Sequence, residues 1–257
     1  MNNNDNRGKR KSKKKSILRN GSGVKKSVDA DVIKPQIFLD IDQTLIAAVR
    51  MDNLDDDDDD DDEDFYDFRK YKNKALEFSF ENMDDYYIIF ERPHLQTFLD
   101  FLFENFNVNI WTAASKDYAL FIIEHIIKAG RPERKLGYTF FSYHCSLSSK
   151  LKNGTKDLSM LWDVYKDPKY NKYNTFILDD YDEVFETQPK NCIEIEPFFF
   201  TKKGSERDDL LSENKLVRYL KRVKDKINKG DENFLGLTFS QFLKEERRPT
   251  LMSKTSM

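Results

Sequence analysis

The sequence predicts an α/β fold: a doubly wound, mostly parallel central sheet that carries a small β-hairpin insertion. Two observations predict it. Short apolar runs of strand length alternate with segments whose apolar residues recur at helical spacing. Three runs also end in polar residues, at Asp40/Asp42, Thr112 and Asp179/Asp180. An open parallel sheet gathers such residues at the carboxyl ends of its strands, where these folds bind ligands. No internal repeat competes with this reading.

Residues 1–31 form a basic, Ser- and Asn-rich arm, with ten Lys/Arg in residues 1–30 against only Asp5 and Asp29. Such a stretch repels itself and is expected to be disordered. The core starts at Gln36-Ile37-Phe38-Leu39, a short apolar run suited to a strand covered on both faces. Asp40-Ile41-Asp42-Gln43-Thr44 ends it. An acidic loop follows at residues 52–64, with eleven acids, no base, and eight consecutive aspartates from Asp55 to Asp62. It too is expected to be disordered. Residues 75–80 and 86–90 then read as the hairpin, turning at Asn82-Met83-Asp84-Asp85.

Arg92-Pro93 opens a helix reaching about residue 105, since Pro suits a first helical turn and Leu95, Phe98, Leu99 and Leu102 share one face. Residues 108–111 are the next strand and end at Thr112-Ala113. Ser115 is expected to cap a helix that runs to about residue 128 and stops at Gly130. Residues 138–141, 175–178 and 192–195 read as further strands, the second terminated by Asp179-Asp180. Residues 206–228 and 239–247 read as helices. One domain is expected over 32–228, followed by a C-terminal helix and tail over 229–257.

The composition bounds the setting. Hydrophobic residues make up 39% and charged residues 35% of the 257, an ordinary core diluted by solvated segments. Abundant Phe (21) and Tyr (12) with scarce Gly (9) and Pro (7) fit an AT-rich genome. Two cysteines, Cys145 and Cys192, make no Cys-x-x-Cys pair and argue against a disulfide framework. No apolar run approaches the roughly 20 residues that span a bilayer. The first residues offer no hydrophobic secretory segment. A soluble, intracellular protein without membrane association is expected.

Aspartates at neighbouring strand ends can carry phosphoryl chemistry. One carboxylate can attack a phosphoryl group if a cation shields the two anions from each other. Mg²⁺ takes oxygen ligands in an octahedron and is commonly held by one or two carboxylates, phosphate and water. Asp40 and Asp179 could supply the carboxylates, and the main-chain carbonyl of Asp42 a third protein oxygen. The Asp42 side chain then remains free to protonate a leaving alcohol and to deprotonate water. The hydroxyl of Thr112 and the ammonium of Lys156 could hold the phosphate and offset its charge.

The ordered set Phe38-Leu39-Asp40-Ile41-Asp42-Gln43-Thr44-Leu45, Glu91-Arg92-Pro93, Trp111–Ala119, Lys156-Asp157-Leu158-Ser159 and Ile177-Leu178-Asp179-Asp180 resembles the haloacid-dehalogenase superfamily. Within it, the match is to the small C-terminal-domain phosphatases related to nuclear LIM interactor-interacting factor. It covers about residues 35–200. The resemblance implies Asp40 as nucleophile, Asp42 as acid and base, Thr112 and Lys156 as phosphate ligands, and Asp40, Asp42 and Asp179 as metal ligands. Asp180, acting through a metal-bound water, and Thr44 would support them. It implies a Mg²⁺-dependent phosphoserine/phosphothreonine protein phosphatase, with the RNA polymerase II tail as a notable substrate of the family. With the compositional style, the resemblance also implies a CTD phosphatase-like protein of a large DNA virus as an expected home for the chain. Gln43 and Tyr181-Asp182 depart from the family pattern, and the acidic loop enters beside the site.

Two other readings stay open at this point: a non-catalytic polypeptide-binding module on the same fold, and a phosphatase of nucleic-acid ends. The small hairpin leaves the site open to macromolecules. The basic run Lys9-Arg10-Lys11-Ser12-Lys13-Lys14-Lys15 reads as a nuclear-import signal, a nucleic-acid patch or a solubilising tail, so the expected compartment is nucleus or cytoplasm. His94, His125 and His144 lack metal-ligand spacing and are expected to be structural, Phe198-Phe199-Phe200 to pack, and Tyr181 to touch substrate.

Overall fold

The computed structural model describes residues 34–51, 68–152 and 154–247. The basic arm, the acidic loop and the end of the C-terminal tail lie outside the described residues. β1 (Gln36–Leu39) is buried along its whole length, as its apolar run requires. The chain turns through residues 40–45 and returns as β2 (Ile46–Arg50). After α1 (Phe68–Ala75) come β3 (Phe80–Met83) and β4 (Tyr87–Glu91).

These three strands form an antiparallel sheet in the order β2-β4-β3, so the expected hairpin is two-thirds of a larger unit. The hairpin is also shifted: residue 75 ends α1, and of the expected strand 75–80 only Phe80 lies in β3. The turn falls at Asp84 and Asp85, both left-handed (φ 52° and 57°), with the Asn82 side chain accepting from the Asp85 N–H at 2.8 Å. Asn and Asp tolerate that conformation, which lets β3 continue through Met83.

α2 (Leu95–Asn105) buries Leu95, Phe98, Leu99 and Leu102, the face expected from their spacing. β5 (Asn107–Trp111) follows, then α3 (Lys116–Ile122), which widens into π-type turns over Ile123–Lys128. Ser115 precedes α3 but its side chain makes no capping bond, contrary to expectation. β6 (Thr139–Phe140) is shorter than the expected 138–141 because the flanking amides are taken by side chains. The Tyr138 N–H donates to Asn109 Oδ1 at 2.7 Å and the Phe141 N–H to His144 Nδ1 at 3.0 Å.

α4 (Ser142–Lys152) and a π-type turn at Met160–Val164 lead to β7 (Thr175–Asp179), α5 (Asp182–Thr187) and β8 (Cys192–Glu194). The helix expected over 206–228 is only α6 (Leu216–Asn228), preceded by a single tight turn at Ser205–Arg207. α7 (Phe239–Glu246) begins with a full capping box, Thr238 and Gln241 bonding each other's amides.

The five remaining strands form a parallel sheet in the order β6-β5-β1-β7-β8. The chain builds outward from β1 on one side and then on the other, so strand order reverses beside β1. Side-chain alternation divides the core. Ile37, Leu39, Val108, Ile110, Phe176 and Leu178 face α2, α3, α6 and α7. Phe38, Trp111, Phe140 and Ile177 face α4, α5 and the turn at Met160–Val164. A third cluster joins the small sheet to α1 and includes Phe198 and Phe200, which pack as expected. No helix among the described residues is long and apolar enough to cross a membrane.

Candidate active site

The reversal of strand order beside β1 gathers the expected site residues. Leu39 pairs with Leu178 in register, and the Asp40 N–H donates to the Leu178 carbonyl at 3.0 Å. Asp40, one residue past β1, therefore stands next to Asp179, the last residue of β7. Both are almost wholly buried. Carboxylate oxygens of Asp40, Asp179 and Asp180 all lie within 4.8 Å of one another.

Lys156 reaches into this group from the loop after α4. Its ammonium, 4% exposed, donates to Asp40 Oδ1 at 2.6 Å and to Asp179 Oδ2 at 2.8 Å. Burial disfavours its charge, but the two carboxylates outweigh that and hold its pKa above the ordinary lysine value. Its backbone is left-handed (φ 57°), a conformation that a side chain other than glycine adopts only when its surroundings impose it. Gln188 does so: its Nε2 donates to the Lys156 carbonyl at 2.8 Å and its Oε1 accepts from the Leu158 N–H at 3.0 Å. Ser148 holds the turn from beneath, donating to the Gly154 carbonyl at 2.6 Å and accepting from the Asp157 N–H at 2.9 Å.

The carboxylates are unbalanced. Burial and then the neighbouring Asp40 push Asp179 up to about 7, against the opposing pull of Lys156. Burial raises Asp180 as well, opposed by the Thr44 hydroxyl, which donates to its Oδ1 at 2.7 Å. Three carboxylates share one ammonium, so an excess of negative charge remains in a nearly dry site. A divalent cation with oxygen preference fits that donor set. Asp42 lies apart from the triad. Its Oδ1 accepts from the Tyr118 hydroxyl at 2.6 Å, and burial raises its pKa to about 6 while that hydrogen bond lowers it. Its carboxylate is therefore not among the clustered metal donors, which leaves the expected main-chain carbonyl as its route to the metal.

Thr112, at the end of β5, is buried on the other side of Asp40's strand. Its Oγ1 accepts from the Ala114 N–H at 3.0 Å, which leaves the hydroxyl proton free to donate. Tyr181 is 56% exposed beside the triad, and its N–H donates to Asp179 Oδ1 at 3.0 Å. The three histidines do structural work: His125 stacks on Phe121 and His144 on Phe140, while His94 makes the left-handed entry to α2.

Sequence reasoning missed the residues that hold this arrangement. Arg92 appeared only within a motif, yet its buried guanidinium bonds the Thr44 carbonyl at 3.1 Å, the Glu196 carbonyl at 3.0 Å and Asp208 Oδ2 at 2.9 Å. It ties the loop after β1 to the segment after β8. Tyr118 also lay in a quoted segment, but nothing in the residues themselves joined it to Asp42. Gln188 and Ser148 gave no signal: Gln188 acts on a backbone 30 and 32 residues away, and Ser148 on an irregular turn 6 and 9 residues on that no helix or strand pattern marks.

The model of a family described as NLI interacting factor-like phosphatase matches residues 35–230. The chain is 45% identical over 196 residues to the CTD phosphatase-like protein 355R of Invertebrate iridescent virus 6, covering 75% of this chain and 97% of that one. It is 38% identical to the corresponding protein of Invertebrate iridescent virus 3, covering 73% and 97%. Among solved structures it aligns with Fcp1, described as an essential RNA polymerase II CTD phosphatase, at 19% identity and a TM-score of 0.42. That alignment covers 85% of this chain and 56% of that one, so the chain spans little more than half its length.

Proposed function

This chain belongs to the NLI interacting factor-like phosphatase family, and on that premise we propose that it removes phosphate from phosphoserine and phosphothreonine in proteins through an aspartyl-phosphate on Asp40. The repeat tail of RNA polymerase II is the first substrate to test, given the description of the viral relatives as CTD phosphatase-like. The observation that carries this reading is Lys156 bridging Asp40 and Asp179 at 2.6 and 2.8 Å inside a buried carboxylate triad.

In this mechanism Asp40 attacks phosphorus and the bond to the serine or threonine oxygen breaks. Asp42, poised by burial near neutrality, gives its proton to that leaving oxygen. The same carboxylate then takes a proton from a water attacking the aspartyl-phosphate, which releases phosphate and restores Asp40. Thr112 donates its free hydroxyl proton to a phosphate oxygen, and Lys156 offsets charge on the transferring group. Thr44 and Arg92 keep Asp180 and the Asp40 loop in place. A Mg²⁺ ion held by Asp40, Asp179 and the Asp42 carbonyl, with Asp180 through a bound water, would supply electrostatic shielding between nucleophile and phosphate.

Phosphate release from an aryl phosphate and from phosphorylated polymerase-tail peptides tests this. Activity is expected to require Mg²⁺ and to fall to background in Asp40→Asn. A folded, Mg²⁺-loaded wild type as inert as that variant would remove the catalytic claim.

A further inference from the structure

We propose that a basic surface joined to the loop that carries the site binds an anionic flank of the substrate, a stretch of Asp, Glu or a second phosphate a few residues from the phosphate removed. The inference rests on the catalytic reading above and adds to it a substrate preference.

Two elements far apart in sequence make the surface. α1 contributes exposed Lys72 and half-buried Lys74, and the turn after Phe200 contributes exposed Lys202, Lys203 and Arg207. They form one face: Lys74 Nζ donates to the Lys202 carbonyl at 2.6 Å and pairs with Glu206 at 3.3 Å. The rings of Tyr71 and Phe200 meet edge-on at 5.9 Å. Among the described residues the acids close to it in sequence are exposed Glu77, Glu206 shared between Lys74 and Arg207, Asp208 bonded to Arg92, and Asp209 paired with Lys215. Among the described residues positive charge is therefore in excess, and no acid there pairs with Lys72, Lys202 or Lys203.

The same segment leads straight to the chemistry. The Phe198 N–H donates to the Gln43 carbonyl at 2.7 Å, within the loop that carries Asp40 and Asp42. Arg92 clamps Glu196 and Asp208, on either side of the basic turn, to Thr44 in that loop. The flanks of the basic turn are thus joined to the loop that carries Asp40 and Asp42. Lys202 is four residues past Phe198, at most about 14 Å of extended chain. An extended substrate covers that reach in about four residues. Exposed cations add little static affinity each, but a patch of one sign selects and steers an oppositely charged ligand.

The test compares two peptides with the same phosphosite, one with glutamates or a second phosphate three to six residues away and one with a neutral flank. An aryl phosphate serves as control. Wild type is expected to prefer the acidic flank by about tenfold in kcat/KM at low ionic strength, with the preference shrinking as salt is added. Lys203→Glu/Arg207→Glu should abolish the preference and leave aryl phosphate hydrolysis unchanged. The proposal is overturned if wild type treats the peptides alike, or if the double variant keeps the preference. It also falls if charge reversal speeds both peptides equally, since the chain's own acidic run would then be the occupant. Loss of binding to a 5′-phosphorylated oligonucleotide alone would assign the surface to nucleic acid instead. Should the aryl phosphate not be hydrolysed, the catalytic reading fails, and fluorescence anisotropy with the labelled peptides still decides the surface: equal binding by both proteins overturns it.

Discussion

Lys156 occupies a position that only its charge explains. A buried ammonium is costly in isolation, and buried carboxylates that face one another are costlier, so the group persists as a set. Lys156→Met is expected to lower stability by about 3–5 kcal/mol without metal, the usual cost of stranding buried charge. Denaturant titrations with and without Mg²⁺ check this, and added Mg²⁺ should narrow the gap. Tyr118 tunes the other carboxylate. Its hydrogen bond favours the ionised form of Asp42, so Tyr118→Phe should raise the Asp42 pKa further and move the alkaline limb of kcat/KM to higher pH. A pH–rate profile that does not shift would remove that role. Asp40, Asp179 and Thr112 were legible as polar residues at the ends of three apolar runs, and the ordered motifs of the family resemblance singled them out from ordinary strand-end polar residues. Tyr118, Thr44 and Gln188 act by hydrogen bonds to partners distant in sequence, which no local pattern encodes.

The loop that presents Lys156 depends on elements rather than on its own sequence. Gln188, just past α5, bonds the carbonyl of the left-handed residue and the N–H of Leu158, and Ser148 in α4 anchors the turn. Gln188→Ala should lower kcat/KM by about tenfold while costing only about 1–2 kcal/mol of stability, the loss of two hydrogen bonds. The stacked pair Phe90–Phe200, with ring centroids 4.2 Å apart, couples the small sheet to the basic turn. Phe90→Ala should cost about 3–5 kcal/mol, read from a denaturant midpoint. At this scale the sequence spoke unevenly. The buried parallel strands and α2 stood out by hydrophobic pattern. β2 did not, since Ile46-Ala47-Ala48-Val49-Arg50 carries no strand-like alternation until it pairs with β4. α6 was overextended at its start, because residues 208–215 are instead held in turns, with Asp208 bonded to Arg92 and to the Leu210 N–H.

Across the whole molecule, the site weighs on stability through protons. Asp42 and Asp179 hold protons in the metal-free fold up to about 6 and about 7, against an ordinary 3.8. The unfolded chain releases those protons earlier. Their contribution is thus fully present below about pH 4 and is lost as pH rises towards about 7. Mg²⁺ needs the ionised ligands, so it should raise the melting temperature more at about pH 7.5 than at about pH 5. Differential scanning fluorimetry at both pH values decides it; an equal rise would contradict it. The fold class followed from alternating patterns, while sheet order and the joining of α6 and α7 to the main core emerged only from packing. The pairing of Leu39 with Leu178 has one more consequence. As the ribosome extends the chain, Asp40 emerges early and waits for most of the domain to be synthesised before Asp179 can dock beside it. Contacts this distant form late, so a growing or truncated chain presents Asp40 without Asp179 beside it, and on the proposed mechanism it stays inactive until the strand that ends at Asp179 has been made.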